Sequence, residues 1–241
     1  MSRTPDIVLF EHVVDREDED IDLGLAGLLV GQWDLPNLDV AHYLGELDRI
    51  ADTARRILEH EQGEHRLLRA LNRTLFEHLG FRGNHDDYYD PKNSFLSEVL
   101  DRRLGIPITL SILYLEVGRR LGLEVSGLSF PGHFLVRCED RDGIVVLDPY
   151  HQGVTLDADD LEERLQRVLG DGAELDDSHL EPASKRQIVA RVLSNLGRIY
   201  RREGDTLREL EVYERLAIVE PHDRQIGREL EKLRARSAEM N

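Results

Sequence analysis

The apolar residues of this chain change their period twice. From Leu38 to Gly122 they recur at helical spacing, from Val125 to Leu147 they alternate, and from Asp159 onward the helical spacing returns. Such a pattern predicts an α+β fold: a helical N-terminal region, a core with a small antiparallel sheet, and a helical C-terminal tail. The strands are expected at residues 125–130, 133–138 and 144–147, with Glu139-Asp140-Arg141-Asp142 joining the last two.

Around the sheet, residues 23–33 are apolar on most faces and stop short of Pro36, as a short buried helix would. Leu38, Tyr43, Leu44, Leu47, Ile50, Ala54, Ile57 and Leu58 follow one helical face. Leu67, Leu68, Leu71, Leu75 and Phe76 follow another, which Gly80 ends. Residues 80–92 carry turn signals, Gly83-Asn84 and Asp90-Pro91, and read as a loop. Asn93 or Ser94 is placed to cap a helix reaching Leu104. Pro107 suits the first position of the next helix, where its missing N–H costs nothing. Residues 159–169 are helical, and 170–183 read as a linker. The apolar patch Ile7-Val8-Leu9-Phe10 suits an edge strand or a docking arm. The expected organisation is an acidic arm and helical region over 1–92, a core over 93–170 and a helical tail over 184–241.

With 31 basic and 48 acidic residues, the net charge is −17. Binding a phosphate backbone depends on neutralising it with Lys and Arg, so a nucleic-acid partner is not expected. An anionic membrane surface is an equally poor match. No stretch approaches the roughly 20 apolar residues of a membrane span. The opening Met-Ser-Arg-Thr-Pro-Asp is unlike a signal peptide, which makes a cytoplasmic location the expectation. Acid is concentrated near the start (Asp15, Glu17, Asp18, Glu19, Asp20, Asp22), while the segment from Ser184 has a small basic excess. The two ends either dock on each other or simply carry solvated charge.

Chemistry concentrates around His133 and Asp148. If residues 139–142 form a four-residue loop, Cys138 pairs with Gly143 and His133 falls opposite Asp148, with Cβ atoms about 4.5–5.5 Å apart. A carboxylate there would orient the imidazole and stabilise its charged form, which is half of a nucleophile–His–Asp relay. The pair can equally be a buried hydrogen-bonded contact, or part of a ligand-binding cleft. The other half of a relay is harder to find. Cys138, the single cysteine, lies on the opposite face of its strand and has neither a helix N-terminus nor a cation to activate it. The helix N-terminus after Gly105-Ile106 begins with Pro107, which has no reactive group. Thr109, Ser111 and Ser94 are the nearby hydroxyls.

Other constellations are weaker. His60 and His65 are five apart, whereas a helical zinc motif needs four. His85, Asp86, Asp87 and Asp90 offer oxygen ligands at no EF-hand spacing and suit a solvated turn. A metal-dependent hydrolysis through His85, Asp86 and His133 ranks last among the readings, and no metal or cofactor is expected. Tyr88 and Tyr89 are core, rim or substrate-platform aromatics. His151 sits on a surface loop or at the cleft edge. Pro131-Gly132 makes a turn or admits a ligand to the backbone.

Several motifs together carry a family resemblance. They are Asn84 with Tyr88-Tyr89-Asp90-Pro91, Asn93-Ser94 with Leu96, Val99-Leu100-Asp101 and Arg103, then Gly105-Ile106-Pro107-Ile108-Thr109-Leu110-Ser111, Pro131-Gly132-His133-Phe134-Leu135-Val136-Arg137, and Asp148-Pro149 with Gly153. The chain resembles the Sir-B family of bacterial proteins from about Leu23 to Leu233. The resemblance implies a transglutaminase/papain-like core followed by tetratricopeptide-type helices. Laid on active transglutaminase-like relatives, the catalytic cysteine falls at Pro107, and the histidine and aspartate at His133 and Asp148. In the tail, Leu193, Leu196, Gly197, Tyr200, Tyr213 and Pro221 fall at tetratricopeptide spacing, although Glu209 stands where a small residue is usual. A single repeat cannot bury its own apolar face and should dock on the core or on a partner. The expected function is a non-catalytic, protein- or peptide-binding regulatory module. Its binding surface would involve Tyr88, Asn93, Ser94, Pro107, Ser111 and Gly132. The alternative is a hydrolase or acyl-transfer enzyme in which Ser111, Thr109 or Ser94 replaces the cysteine and His133 is the base.

Overall fold

In the computed structural model, which describes residues 5–240, the alternating segment builds an antiparallel sheet. Strands β3 (Glu124–Leu128), β4 (Leu135–Asp140) and β5 (Gly143–Asp148) are joined at the edges by β6 (Val154–Leu156) and β7 (Pro182–Ala183), in the order β6–β5–β4–β3–β7. Asp140 pairs with Gly143, so the turn of the hairpin is Arg141-Asp142, two residues rather than four. Cys138 therefore faces Val145, a shift of two residues from the expected register. A shift of two leaves every side chain on its original face, so His133 and Asp148 stay on one side as diagonal rather than direct neighbours.

Both faces of the sheet are covered. Phe134, Val136, Cys138 and Leu147 join the main core with α6 (Pro107–Arg120), whose first twelve residues are all buried. Leu128, Phe130, Leu135 and Val146 pack in a second cluster with Leu161 and Leu165 of α7 (Ala158–Leu169). The segment 170–183 is less of a linker than its composition suggested, because its last two residues are β7, paired antiparallel with β3.

Before the sheet come α1 (Pro5–Val14), α2 (Leu23–Leu29), α3 (Val40–Leu58), α4 (Arg66–Asn72) and α5 (Leu96–Arg102). The patch at residues 7–10 is helical, not an edge strand: Ile7, Phe10, Val13 and Val14 fall on one helical face and are buried. Helix α4 widens into a π-helical turn over Arg73–His78. Asn93 and Ser94 do not cap α5. They belong to a 3-10 turn over Pro91–Ser94, and Arg103 ends α5 in the left-handed region at φ 61°. Short parallel strands β1 (Arg82–Gly83) and β2 (Leu104–Gly105) tie the two sides of this loop. The opening Met-Ser-Arg-Thr, part of the signal-peptide reading, lies outside the described residues.

The tail is α8 (Lys185–Glu203), α9 (Thr206–Val219) and α10 (Arg224–Glu239). A single apolar cluster includes Phe10, Leu47, Leu71, Tyr114, Leu147, Leu196 and Leu216, so first helix, core and tail share one interior. Glu209 is buried between α8 and α9, and Arg201 Nε donates to it at 2.6 Å. The acidic start docks on the tail. Asp18 accepts from the N–H groups of Lys185 and Arg186, both at 2.9 Å, and Lys185 Nζ donates to the carbonyls of Glu19 and Ile21.

Candidate ligand-binding cleft

The turn before β4 presents the histidine. Pro131 fixes one φ, Gly132 takes φ +71°, and the His133 N–H donates to the Phe130 carbonyl at 3.0 Å. This is the residue pattern of a type II turn. His133 Nε2 lies 2.9 Å from Asp148 Oδ1. An ionised carboxylate only accepts, so the proton is on Nε2 and Nδ1 is the nitrogen left to take part in chemistry.

Asp148 is fully buried and holds more than the one histidine. His151 Nδ1 donates to Oδ2 at 2.6 Å and Arg164 Nη1 donates to the same oxygen at 3.0 Å. The N–H groups of Tyr150 and His151 donate to Oδ1 at 3.1 and 3.3 Å. Burial alone would raise the carboxyl pKa, but the hydrogen bonds and charges of His133 and His151 outweigh it and hold the group at about 2. His133, Asp148 and His151 each offer a ligand atom, and the three atoms lie within 4.8 Å of one another, a group that could hold a cation. The Asp148 oxygens, however, already accept five donors, one from a guanidinium. The trio of His85, Asp86 and His133, ranked last from the sequence, is not the group assembled here. His85 instead lies beside Tyr150, whose hydroxyl is 3.1 Å from His85 Nδ1.

His133 forms one wall of a cleft of about 280 Å³. The loop after β1 contributes Tyr88 and Tyr89, the start of α6 contributes Ile106, Pro107 and Ile108, and the turn contributes Gly132 and Phe134. The remaining wall comes from α8: Arg191, Asn195, Arg198 and Ile199. Burial pushes the Tyr88 phenol above its usual range, against the pull of Arg191 and Arg198. Of the residues expected to bind, Tyr88, Pro107 and Gly132 meet His133 in this cleft. Asn93, Ser94 and Ser111 are buried and do not line it. Asn93 acts one step back. Its side-chain amide donates to the carbonyls of Asp87 and Tyr88 and accepts from Asn84, which fixes the loop carrying the tyrosines.

Thr109 is buried with its hydroxyl committed, accepting from the Ile106 N–H at 3.1 Å and donating to the Asn93 carbonyl at 2.7 Å. Cys138 faces α6 in the main core. Among the residues lining the cleft there is no thiol and no aliphatic hydroxyl. Sequence reading passed over Arg164, Arg191, Asn195 and Arg198, and left His151 as an open alternative. A signal for the α8 residues was available: Arg191, Asn195, Arg198 and Arg202 recur at i, i+4, i+7 and i+11, which is one helical face.

A histidine–aspartate pair at the sheet, facing the N-terminus of a buried helix, fits the result of comparison with known proteins. The chain belongs to the transglutaminase-like superfamily, whose family model matches residues 41–194. It is 42% identical over 200 residues to a UPF0162 protein of Xylella fastidiosa, covering 80% of this chain and 69% of that one. A UPF0162 protein of Pseudomonas aeruginosa is 32% identical over 196 residues, 81% of this chain and 71% of its own. Human F-box only protein 21 is 32% identical over 146 residues, 57% of this chain but 22% of its own length. No solved structure matches the chain.

Proposed function

We propose that this protein is a non-catalytic transglutaminase-like module of the Sir-B type, cytoplasmic, whose cleft binds a segment of another protein. The observation that carries the reading is Pro107. The first residue of α6, which the resemblance aligns with a catalytic cysteine, lines the same cleft as His133 and offers no nucleophile. The dipole of α6 and the His133–Asp148 pair then have no thiol to activate. Two further facts support binding. The cleft wall opposite Pro107 is the first tail helix, which the reading takes as tetratricopeptide-type. In F-box only protein 21 the matching segment is a fifth of a longer chain, as suits a module carried within larger proteins.

The rival, a serine or threonine hydrolase, meets an obstacle in burial. Thr109, Ser111 and Ser94 are each about 1% exposed or less, and none lines the cleft. Both readings answer to one measurement. Wild-type protein is treated with fluorophosphonate and acyl-nitrile probes beside a His133→Ala variant. The binding reading expects no labelling of either. Labelling of the wild type that disappears in His133→Ala would establish the enzyme instead.

A further inference from the structure

Two arginines in the cleft have no carboxylate partner among the described residues. Arg191 has one hydrogen bond, to Ser129 Oγ at 3.4 Å, and Arg198 makes no hydrogen bond or ion pair among the described residues. Elsewhere in the tail Arg201, Arg208, Arg215 and Arg234 each hold a carboxylate, Arg186 and Arg236 donate to carbonyls or a hydroxyl, Arg202 stacks on Tyr89, and Arg224 and Arg228 are exposed. In a chain with 48 acidic side chains and 31 basic ones, the electrostatically easy arrangement is to pair every guanidinium. Here two sit on one face of α8, two helical turns apart, with the Asn195 amide between them. Burial and the neighbouring Arg198 both push the Arg191 guanidinium below its usual range. The site thus holds like charges against each other in a partly desolvated cleft, an arrangement that an incoming anion relieves.

We propose that the cleft recognises an acidic peptide segment, whose carboxylates bridge Arg191 and Arg198 while its backbone and neighbouring side chains lie on Tyr88, Ile108 and Ile199. This deepens the binding function proposed above and rests on it for the peptide, though not for the anion. The argument for a polypeptide over a free small anion lies in the opposite wall. Tyr88 and Tyr89 are 42% and 55% exposed, and Arg202 stacks over Tyr89 at 4.7 Å, so aromatic surface extends beside the charges. Aromatic residues next to arginine are the usual anchors of protein recognition. Net charge supplies a reason for selectivity: at −17 the rest of the molecule repels acidic chains, so binding must be local to this cleft.

Two arms test this on the full-length protein. In the first, the Arg Nε–Hε signals of 15N-labelled protein are followed while disodium glutarate, inorganic phosphate or sodium chloride is added at constant ionic strength. Glutarate is expected to shift the Arg191 and Arg198 signals saturably, and more strongly than chloride. The glutarate affinity read from the remaining signal should fall roughly tenfold in Arg198→Gln, the loss typical of a charge-assisted contact. Arg198 is exposed and makes no hydrogen bond or ion pair among the described residues, so that variant keeps its fold. No saturable glutarate shift overturns the proposal, and tighter binding of phosphate overturns the assignment to carboxylates.

In the second arm, a displayed library of random dodecapeptides is selected on wild type and on Arg191→Gln/Arg198→Gln. Enrichment of Asp and Glu on the wild type, lost on the double variant, supports the acidic segment. Equal enrichment on both overturns it. Glutarate binding without any selected peptide would leave the anion site standing and sink the peptide, and with it the binding function.

Discussion

Asp148 is the residue on which the site converges. A carboxylate with no solvent exposure is stable only because two imidazoles, a guanidinium and two backbone N–H groups complete it. Removing that charge leaves the half-buried Arg164 without its carboxylate and two imidazoles without their acceptor, so Asp148→Asn should cost about 3 kcal/mol in urea unfolding. The pH dependence follows from the same contacts. The folded pKa of about 2 lies below the ordinary 3.8, so the contribution is complete above roughly pH 5. It is lost as the pH falls through about 4 toward 2, and its size is about 2 kcal/mol. Acid titration of wild type against Asp148→Asn should show a difference that closes over that window. A constant difference down to pH 2 would mean that the native carboxyl titrates as an ordinary one.

Two elements are set by their ends. The turn that carries His133 needs Gly132 at φ +71°, and a Cβ there would sit 2.7 Å from Val168 Cγ2 of α7. Gly132→Ala should cost about 2 kcal/mol, from left-handed strain plus the clash. Adding Val168→Ala should recover only the clash, and full recovery in the double variant would show that the backbone is unstrained. Helix α8 starts under a double cap. Ser184 Oγ accepts from Gln187 within the helix, while Asp18 accepts from Lys185 and Arg186 across the fold. A carboxylate there also faces the positive end of the helix. Asp18→Ala should cost about 1 kcal/mol, seen as a fall of about 2–4 °C in Tm. An unchanged Tm would mean that the acidic start contributes only charge. Since α8 carries Arg191 and Arg198, a looser cap should also weaken the cleft.

At the scale of the molecule, the tail is inseparable from the interior. Ile188, Val192, Leu193, Leu196, Tyr200, Val212 and Leu216 share one cluster with Phe10, Leu47 and Tyr114. Deleting residues 184–241 would uncover the faces of α2 and α6 that α8 packs against, exposing apolar surface worth about 25 cal/mol per Å². The truncated chain is expected to lose near-UV circular dichroism and to bind ANS, and the intact protein to unfold in a single transition. A truncated form with native near-UV signal would show a core that folds without the tail. Among the described residues, no helix is long and apolar enough to cross a membrane.

The residues alone determined the succession of helical and alternating segments, the α6 start at Pro107 and the lack of any second cysteine, because each is a matter of local spacing or simple identity. Local spacing also kept His133 and Asp148 on one face, since a register error of two residues does not change side. It could not fix the register itself, or recognise Ile7 to Val14 as a helix before a partner surface existed for it. The remaining decisions were tertiary. Arg164 reaches Asp148 from α7, and Arg191 and Arg198 stand near His133 some sixty residues away in sequence. The burial of Thr109 and Ser111 away from the cleft appears only once their neighbours are in place. Periodicity states which side of an element is apolar. Which elements then meet, and so which charges are paired and which are left for a ligand, is settled by long-range packing, and no local pattern encodes it.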